Sequence, residues 1–175
     1  AGTTLAMNRL GRYDTVSEPV HTGYATRLNR LEPRRAARFD GDVTFGDITF
    51  SQPILTETPS NQLFGGALLS QFRISYDPSE ERMMFEPYEA DPIASPPYTS
   101  IGVALAPREN GLEVIARLTE NAPDLQEGDL ITHLDGMPVG TQGCRATGDT
   151  SPREVTRLRN GVSETLTVPI LDLVP

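Results

Sequence analysis

Residues 127–139 read EGDLITHLDGMPV, and this stretch decides how the second half of the chain folds. Its apolar run, Leu130–Leu134, follows Gly128-Asp129 and is followed by Asp135-Gly136. An Asp-Gly pair behind such a run is among the strongest local signals of a tight hairpin turn. The stretch therefore predicts a buried strand that begins after a glycine turn and reverses at Asp135-Gly136.

Four further runs on either side of this stretch have the length and composition of strands. They are Ile101–Leu105, Leu112–Leu118, Val155–Leu158 and Glu164–Ile170. Turn residues separate several of them, at Glu109-Asn110-Gly111 and at Asn160-Gly161. Residues 98–175 are therefore predicted to form a small β domain of five strands.

Residues 98–175 resemble a bacterial PDZ domain of the kind attached to proteases. The matching segments are Ser100–Val103, Leu112–Val114, Glu127–Val139 and Leu158–Gly161. The resemblance implies a domain that binds a polypeptide or a protein C-terminus. The chain departs from the PDZ pattern at the two places where that family has a helix. Residues 121–127 are too few to form the first helix fully. Residues 140–150, where the helix that lines the peptide groove is expected, are poor in helix-forming residues.

The resemblance also implies which residues contact a peptide. Backbone N–H groups of Ser100, Ile101, Gly102 and Val103 would bind the C-terminal carboxylate. Ala104 and Leu105, in the strand that follows, would pair with the peptide as an added strand. The alternative, a glycine at an ordinary strand start, stays open.

The first half of the chain has a different order of elements. Val43–Phe50 alternates across a turn at Gly46-Asp47 and predicts a β-hairpin, with Ile54-Leu55 continuing its second arm. Gly65-Gly66 is expected to open one or two helical turns, in which Leu68, Leu69 and Phe72 bury one face. A strand at Arg73–Tyr76, a turn at Asp77–Glu80 and a strand at Met83–Phe85 follow.

This order of hairpin, glycine-helix, strand, turn and strand resembles the end of a retropepsin-type domain of the aspartic peptidases. Catalysis in that family uses an Asp-Thr/Ser-Gly turn from each of two lobes, whose carboxylates share one proton. Here Asp14-Thr15 is followed by Val16, so the motif is missing and Asp14 is expected to have a capping or loop role. The catalytic turn is expected either upstream of Ala1 or lost, and no catalytic residue is assigned.

The remaining segments set the predicted domain limits. Residues 5–11 could make a short helix, and the arginine-rich stretch Arg27–Arg38 is expected to be a solvated loop or an edge strand. Prolines between Pro87 and Pro97 predict a linker. The predicted domains are therefore a retropepsin-like lobe at 1–88, a linker at 89–97 and a PDZ-like domain at 98–175.

Composition excludes several classes of function. The formal charge is −9, which disfavours nucleic acid as a partner. All fifteen cationic residues are Arg, so Schiff-base and P-loop lysine chemistry is excluded. The lone Cys144 has no internal partner and no adjacent base, and His21 and His133 lack metal-ligand spacing, so no metal or cofactor is expected. The sequence contains no apolar run long enough to span a membrane.

These observations predict a mainly β fold, a partial pepsin-like or retropepsin-like barrel lobe followed by a PDZ-like small barrel with short helices. The leading hypothesis is the C-terminal part of an extracytoplasmic bacterial protein that resembles aspartic peptidases, with a domain that binds polypeptide. Aspartic-type cleavage would require a catalytic Asp from upstream sequence or from a partner, and a homodimer is possible. Two alternatives remain open, a module that serves only protein interaction, and a PDZ-like domain attached to a serine or metallopeptidase.

Overall fold

The chain is mainly β, as predicted. The computed structural model describes residues 5–27, 30–58, 62–89, 92–140 and 150–174. The strands are β1 (Leu5–Met7), β2 (Val20–Arg27), β3 (Arg30–Arg38), β4 (Asp42–Phe45), β5 (Ile48–Ser51), β6 (Ile54–Glu57), β7 (Leu63–Phe64), β8 (Phe72–Asp77), β9 (Arg82–Pro87), β10 (Ile93–Ala94), β11 (Tyr98–Ser100), β12 (Val103–Arg108), β13 (Gly111–Arg117), β14 (Leu130–Leu134), β15 (Met137–Pro138), β16 (Arg153–Arg159), β17 (Val162–Val168) and β18 (Leu171–Val174). In the described segments, one α-helix, α1 (Gly66–Leu69), and one 3-10 turn, Leu10–Arg12, lie between them.

The chain divides into two compact units. Unit 1 contains Ala1–Pro19 and Ala36–Pro96, and unit 2 contains Val20–Arg35 and Pro97–Pro175. The division falls within β3. Inside the stretch predicted as a linker, the two residues of β10 pair in parallel with Phe50 and Ser51 of β5. Ile93 of this pair is buried. Proline on either side of a short strand does not prevent pairing at a sheet edge, so the predicted linker contains a strand.

In unit 1, β1 lies between two other strands. It runs parallel to β6 and antiparallel to β7, and the last residues of β3 pair with β6 on its other side. The predicted helix at residues 5–11 is therefore wrong, because the apolar run from Leu5 is a strand paired on both edges. A short apolar run does not distinguish a buried strand from a helix, and here only the long-range pairing decides.

The hairpin predicted at Val43–Phe50 is confirmed as β4 and β5, with Gly46-Asp47 as its turn. Its predicted continuation at Ile54-Leu55 is wrong, because these residues form β6 in a different sheet. Gln52 has a φ of 44° and Pro53 follows it, and together they turn the chain between the two strands.

The core of unit 1 collects apolar residues from most of its elements. The buried members are Leu5, Leu10, Phe50, Leu55, Leu68, Phe72 and Ile93. The helical turn predicted after the glycine pair is confirmed as α1, and its Leu68 is fully buried while Leu69 is half-buried. The strands predicted after it are β8 and β9, which form a two-stranded ribbon.

Unit 2 is built around an open antiparallel sheet. Its strands follow the order β12-β13-β14-β16-β17, with β15 paired to β14, and within the described residues this sheet does not close into a barrel. Asp135-Gly136 and Asn160-Gly161 all have positive φ angles, the conformation that two-residue hairpin turns require. Both predicted turns are confirmed, and the strand predicted at Leu130–Leu134 has the predicted bounds.

One face of this sheet covers the core of unit 2, which contains Val103, Val114, Leu125, Ile131, Val155 and Val168. A separate pair, β11 and β18, joins the segment before β12 to the end of the described chain. In the described parts of the chain, no helix is both long and apolar enough to cross a bilayer.

Candidate functional site

The predicted carboxylate loop, Ser100–Val103, connects β11 to β12. Gly102 has a φ of 82°, its N–H donates to the Ser100 hydroxyl at 3.1 Å, and its C=O accepts the Leu118 N–H at 2.9 Å. One amide of the loop therefore already has an acceptor within the loop itself. A peptide carboxylate that used the Gly102 N–H would replace the Ser100 hydroxyl oxygen there.

Gly102 is required at this position for two reasons. Its positive φ is unfavourable for residues with a side chain. A Cβ atom there would lie 3.0 Å from Leu171 Cδ1 and 3.1 Å from Ala122 Cα. The loop after β13 therefore approaches the Gly102 backbone as closely as a residue without a side chain allows.

The strand that follows the loop, β12, is one end of the six-stranded sheet and pairs with β13. The two-residue turn between Arg108 and Gly111, together with the bond from Leu118 to Gly102, sets the alternation of its hydrogen bonds. By that alternation, the N–H and C=O groups of Val103 and Leu105 point away from β13. Of the two residues predicted to pair with a peptide, Leu105 therefore faces the outer edge, whereas Ala104 bonds inward to β13.

A proline occupies the next outward position of this edge. Pro107 pairs opposite Leu112 and has no N–H to donate, the arrangement in which edge strands tolerate proline. At Val103 and Leu105, next to the carboxylate loop, the backbone N–H and C=O groups of β12 therefore point toward its outer edge. The side chains of Ile101 and Leu105 pack against the core of unit 2.

Strand β2 is a neighbour of this edge. Its Cα atoms come within 8 Å of both β12 and β18, although no described hydrogen-bond ladder joins β2 to β12. Thr22 of β2 is hydrogen-bonded to the Tyr98 hydroxyl, and burial raises the pKa of Tyr98 more than this bond lowers it. Strands β2, β12 and β18 therefore lie close to one another.

The loop after β13 is held in place by Arg117 rather than by a helix. Its guanidinium donates to four carbonyl oxygens, those of Glu120 and Ala122 at 3.1 Å, Leu125 at 3.3 Å and Pro123 at 3.4 Å. Arg117 lies opposite Val103 in the sheet, so it joins the start of β12 to this loop. Neither Arg117 nor Ala122 was predicted as part of the site, because their role depends on contacts distant in sequence.

A network of charged residues, of which Asp129 and Arg157 are buried, joins the same loop to strands β16 and β17. Asp129, which is 2% exposed, receives the Arg159 guanidinium at 2.6 and 2.7 Å and bonds the Gln126 N–H at 2.8 Å. Arg157, also buried, contacts Glu164 at 2.6 Å and the Asp124 carboxylate at 3.1 Å. Burial by itself would raise the pKa of Asp129, but the bonds from Arg159 and Gln126 outweigh it and the pKa stays below its ordinary value.

These charges pair with one another and with backbone groups, so they stabilise the loop and do not present a reactive group. The Arg157–Asp124 pair lowers the pKa of Asp124, chiefly through the side-chain hydrogen bond. Asp129 is the residue of the Gly-Asp turn that the sequence pattern singled out. Its structural role explains why an acidic residue stands at the entry of β14.

The other candidate residues do not come together. Asp14 is exposed and its carbonyl accepts the Asp40 N–H at 3.0 Å. The His21 ring packs edge-on against Tyr24, and His133 Nδ1 lies 3.0 Å from the Thr132 hydroxyl. No group of three potential metal-ligating side chains occurs among the described residues. Cys144, and most of the segment expected to lack the groove helix, lie outside the described residues.

Comparison of the chain with protein-family models, with curated proteins and with solved structures finds no match. The features of unit 2 that bear on its function are the geometry of the glycine loop and of the edge strand that follows it.

Proposed function

We propose that this chain belongs to an extracytoplasmic bacterial protein that resembles aspartic peptidases, and that unit 2 binds extended polypeptide by adding a strand to β12. The observation that carries the proposal is the edge position of β12, with outward backbone groups at Val103 and Leu105 next to a tight glycine loop. Strand addition at the edge of a sheet is a recurring mode of peptide recognition.

Different residues of the site contact different parts of the peptide. The loop of Ser100, Ile101, Gly102 and Val103 binds the terminal carboxylate through N–H groups, and Leu105 provides the next backbone pair. Ala104 makes no backbone hydrogen bond to the peptide, since its N–H and C=O groups bond to β13. We assign no catalytic residue to this chain, because its sequence contains no Asp-Thr-Gly turn.

The direct test is binding of short fluorescent peptides with a free C-terminal carboxylate, compared with the same peptides amidated at the C-terminus. A random library with apolar last residues is the probe, and fluorescence polarisation is the readout. We expect a subset of free-carboxylate peptides to bind and their amidated forms to bind at least several-fold more weakly. If no peptide binds, or if amidation changes nothing, the carboxylate site does not exist.

An alternative is a module used only for protein interaction, with no peptidase at any stage. The exposed position of Asp14 in an irregular segment favours it, because a catalytic carboxylate pair needs a shielded, shared proton. A full-length natural protein without pepstatin-sensitive cleavage of casein at acidic pH would support this alternative, and cleavage would exclude it.

A further inference from the structure

The ribbon of β8 and β9 in unit 1 has one apolar face and one charged face. Its register places Ile74 opposite Phe85 and Tyr76 opposite Met83. Because opposite residues share a face, these four side chains and Phe72 lie on the same side. The other side presents Arg73, Ser75, Asp77, Arg82, Met84 and Glu86. The ribbon therefore has the amphipathic pattern of a strand pair that packs on an apolar surface.

The core of unit 1 covers only the inner end of the apolar face. Phe72 is buried, and its ring centre lies 5.8 Å from that of Phe50 and 5.9 Å from that of Phe85. At the outer end, Ile74 is 40%, Tyr76 65% and Met83 56% exposed. The apolar face therefore continues beyond the core into solvent.

Two half-exposed aromatic rings extend this apolar area. The Phe45 ring centre is 5.5 Å from that of Phe85 and 5.1 Å from that of Phe64. Phe45 and Phe64 are themselves 40% and 42% exposed. We call the set Phe45, Phe64, Ile74, Tyr76 and Met83 the ribbon surface. A cluster of exposed apolar side chains of this kind is typical of an interaction site.

The ribbon also has an edge that can accept a strand. The bond from the Tyr88 N–H to the Gln71 carbonyl, 2.9 Å, sets the alternation of the ladder. By that alternation the N–H and C=O groups of Ile74 and Tyr76 point away from β9, along the outer edge of β8. Pro87 occupies an outward position of β9 and has no N–H, so β9 is the poorer edge. In the described chain this sheet has two strands, an arrangement that is marginally stable on its own.

We propose that the outer edge of β8 binds a second copy of this chain, with the two β8 strands antiparallel and related by a two-fold axis at Ser75, so that Ile74 and Tyr76 of the ribbon surface lie at the contact. This pairing places Ile74 opposite Tyr76 of the second copy on the apolar face. On the charged face it places Arg73 opposite Asp77 of the second copy, and the uncharged Ser75 meets its own equivalent. An isologous contact requires such self-complementarity, and here no like charges are brought opposite each other.

The proposal is independent of the peptide site, which lies in unit 2, so each can fail without the other. It also predicts hydrogen bonds between outward groups, from the Ile74 N–H to the Tyr76 carbonyl across the axis. Ser75 then forms a non-hydrogen-bonded pair with its equivalent, the closer of the two antiparallel arrangements.

A cysteine cross-link tests the axis directly. In a Cys144→Ser background, Ser75→Cys places two sulfurs across the proposed axis, where the Cα separation of about 4.5 Å falls within disulfide range. We expect a covalent dimer on mild oxidation that disappears on reduction. Ser163→Cys, at an exposed strand position in unit 2, is the control that measures cross-linking by random collision of two chains. If Ser75→Cys cross-links no faster than this control, or if Met84→Cys on β9 cross-links faster, the proposal is wrong.

Sedimentation equilibrium of the chain without added cysteines gives a second, independent test. We expect a reversible dimer, and we expect Tyr76→Asp to weaken it about tenfold or more. Tyr88→Asp is the matched control, because Tyr88 is equally exposed at 65% but follows β9 directly and is not on the outer edge of β8. A wild-type chain that stays monomeric up to millimolar concentration, or equal effects of the two substitutions, overturns the proposal.

Discussion

At the residue scale, Gly102 links the carboxylate loop to the rest of unit 2. Its positive φ is unfavourable for residues with a side chain, and a Cβ atom there would lie closer to Ala122 and Leu171 than ordinary van der Waals contact. The Ser100 hydroxyl accepts the Gly102 N–H in the structure and so occupies the place of a ligand oxygen. Binding of a carboxylate at this amide therefore competes with a bond inside the chain.

This competition predicts the effect of Ser100→Ala. Removing the hydroxyl leaves the Gly102 N–H available, so peptides with a free carboxylate should bind about two- to tenfold more tightly. The amidated peptides should be unaffected, because they do not supply the anionic acceptor. Fluorescence polarisation with both peptide forms measures the difference. Equal changes for the two forms would show that the substitution acts on the strand and not on the carboxylate.

Asp129 is the second residue whose environment gives a testable consequence. Its pKa is held below the ordinary value, so its pairing with Arg159 stabilises the folded state above about pH 4 and is lost as the pH falls through the folded pKa. Asp129→Asn should cost about 3 kcal/mol near neutral pH, because it leaves two partly buried guanidinium groups undercompensated.

Urea unfolding followed by circular dichroism at a series of pH values checks this prediction. Wild-type stability should fall as the pH is lowered below about 4, and the variant should lose less over the same range. Asp172→Asn, at an exposed position in β18, is the control and should behave as the wild type. Parallel pH profiles for wild type and Asp129→Asn would contradict the role given to this carboxylate.

At the scale of elements, the edge strand β12 makes a prediction of its own. Leu105→Pro removes an N–H that points outward, and it should weaken peptide binding about two- to tenfold while the sheet hydrogen bonds to β13 remain. Leu105→Ala is the matched control, because it removes the same core-packed side chain but keeps the outward N–H. Peptide titration of both variants, after a thermal melt to verify folding, measures the effect. Equal losses in the two variants would argue against strand addition at β12.

At the scale of the whole molecule, the proposed function assigns no catalytic residue to this chain, and we therefore expect no aspartic-type cleavage of protein by the chain alone. Incubation with casein at about pH 4, where paired carboxylates of aspartic peptidases are active, should give no pepstatin-sensitive products. Asp14→Asn should change nothing in this assay, because the Asp14 side chain is exposed and lies outside any catalytic turn. Cleavage that disappears in Asp14→Asn would make Asp14 catalytic, and it would contradict the proposal that this chain contributes no catalytic residue.

The amino-acid sequence by itself determined the local features of this fold. The turns at Gly46-Asp47, Asp135-Gly136 and Asn160-Gly161 follow from the freedom of one or two residues to adopt positive φ, and the flanking strands follow from them. The helical turn after Gly65 was equally accessible to sequence reasoning. Of the candidate site, the glycine loop and the strand after it could be predicted on the same local grounds.

The tertiary structure decided the rest. Leu5–Met7 is a strand because it pairs with residues some fifty positions away, Leu55 among them, and β10 forms only where it meets β5. Such pairings also determine which residues of β12 face outward. They bring Arg117 and Ala122 to the glycine loop as well. Strand preference comes largely from the neighbours that a side chain meets in the folded sheet, and a window of sequence does not contain those neighbours.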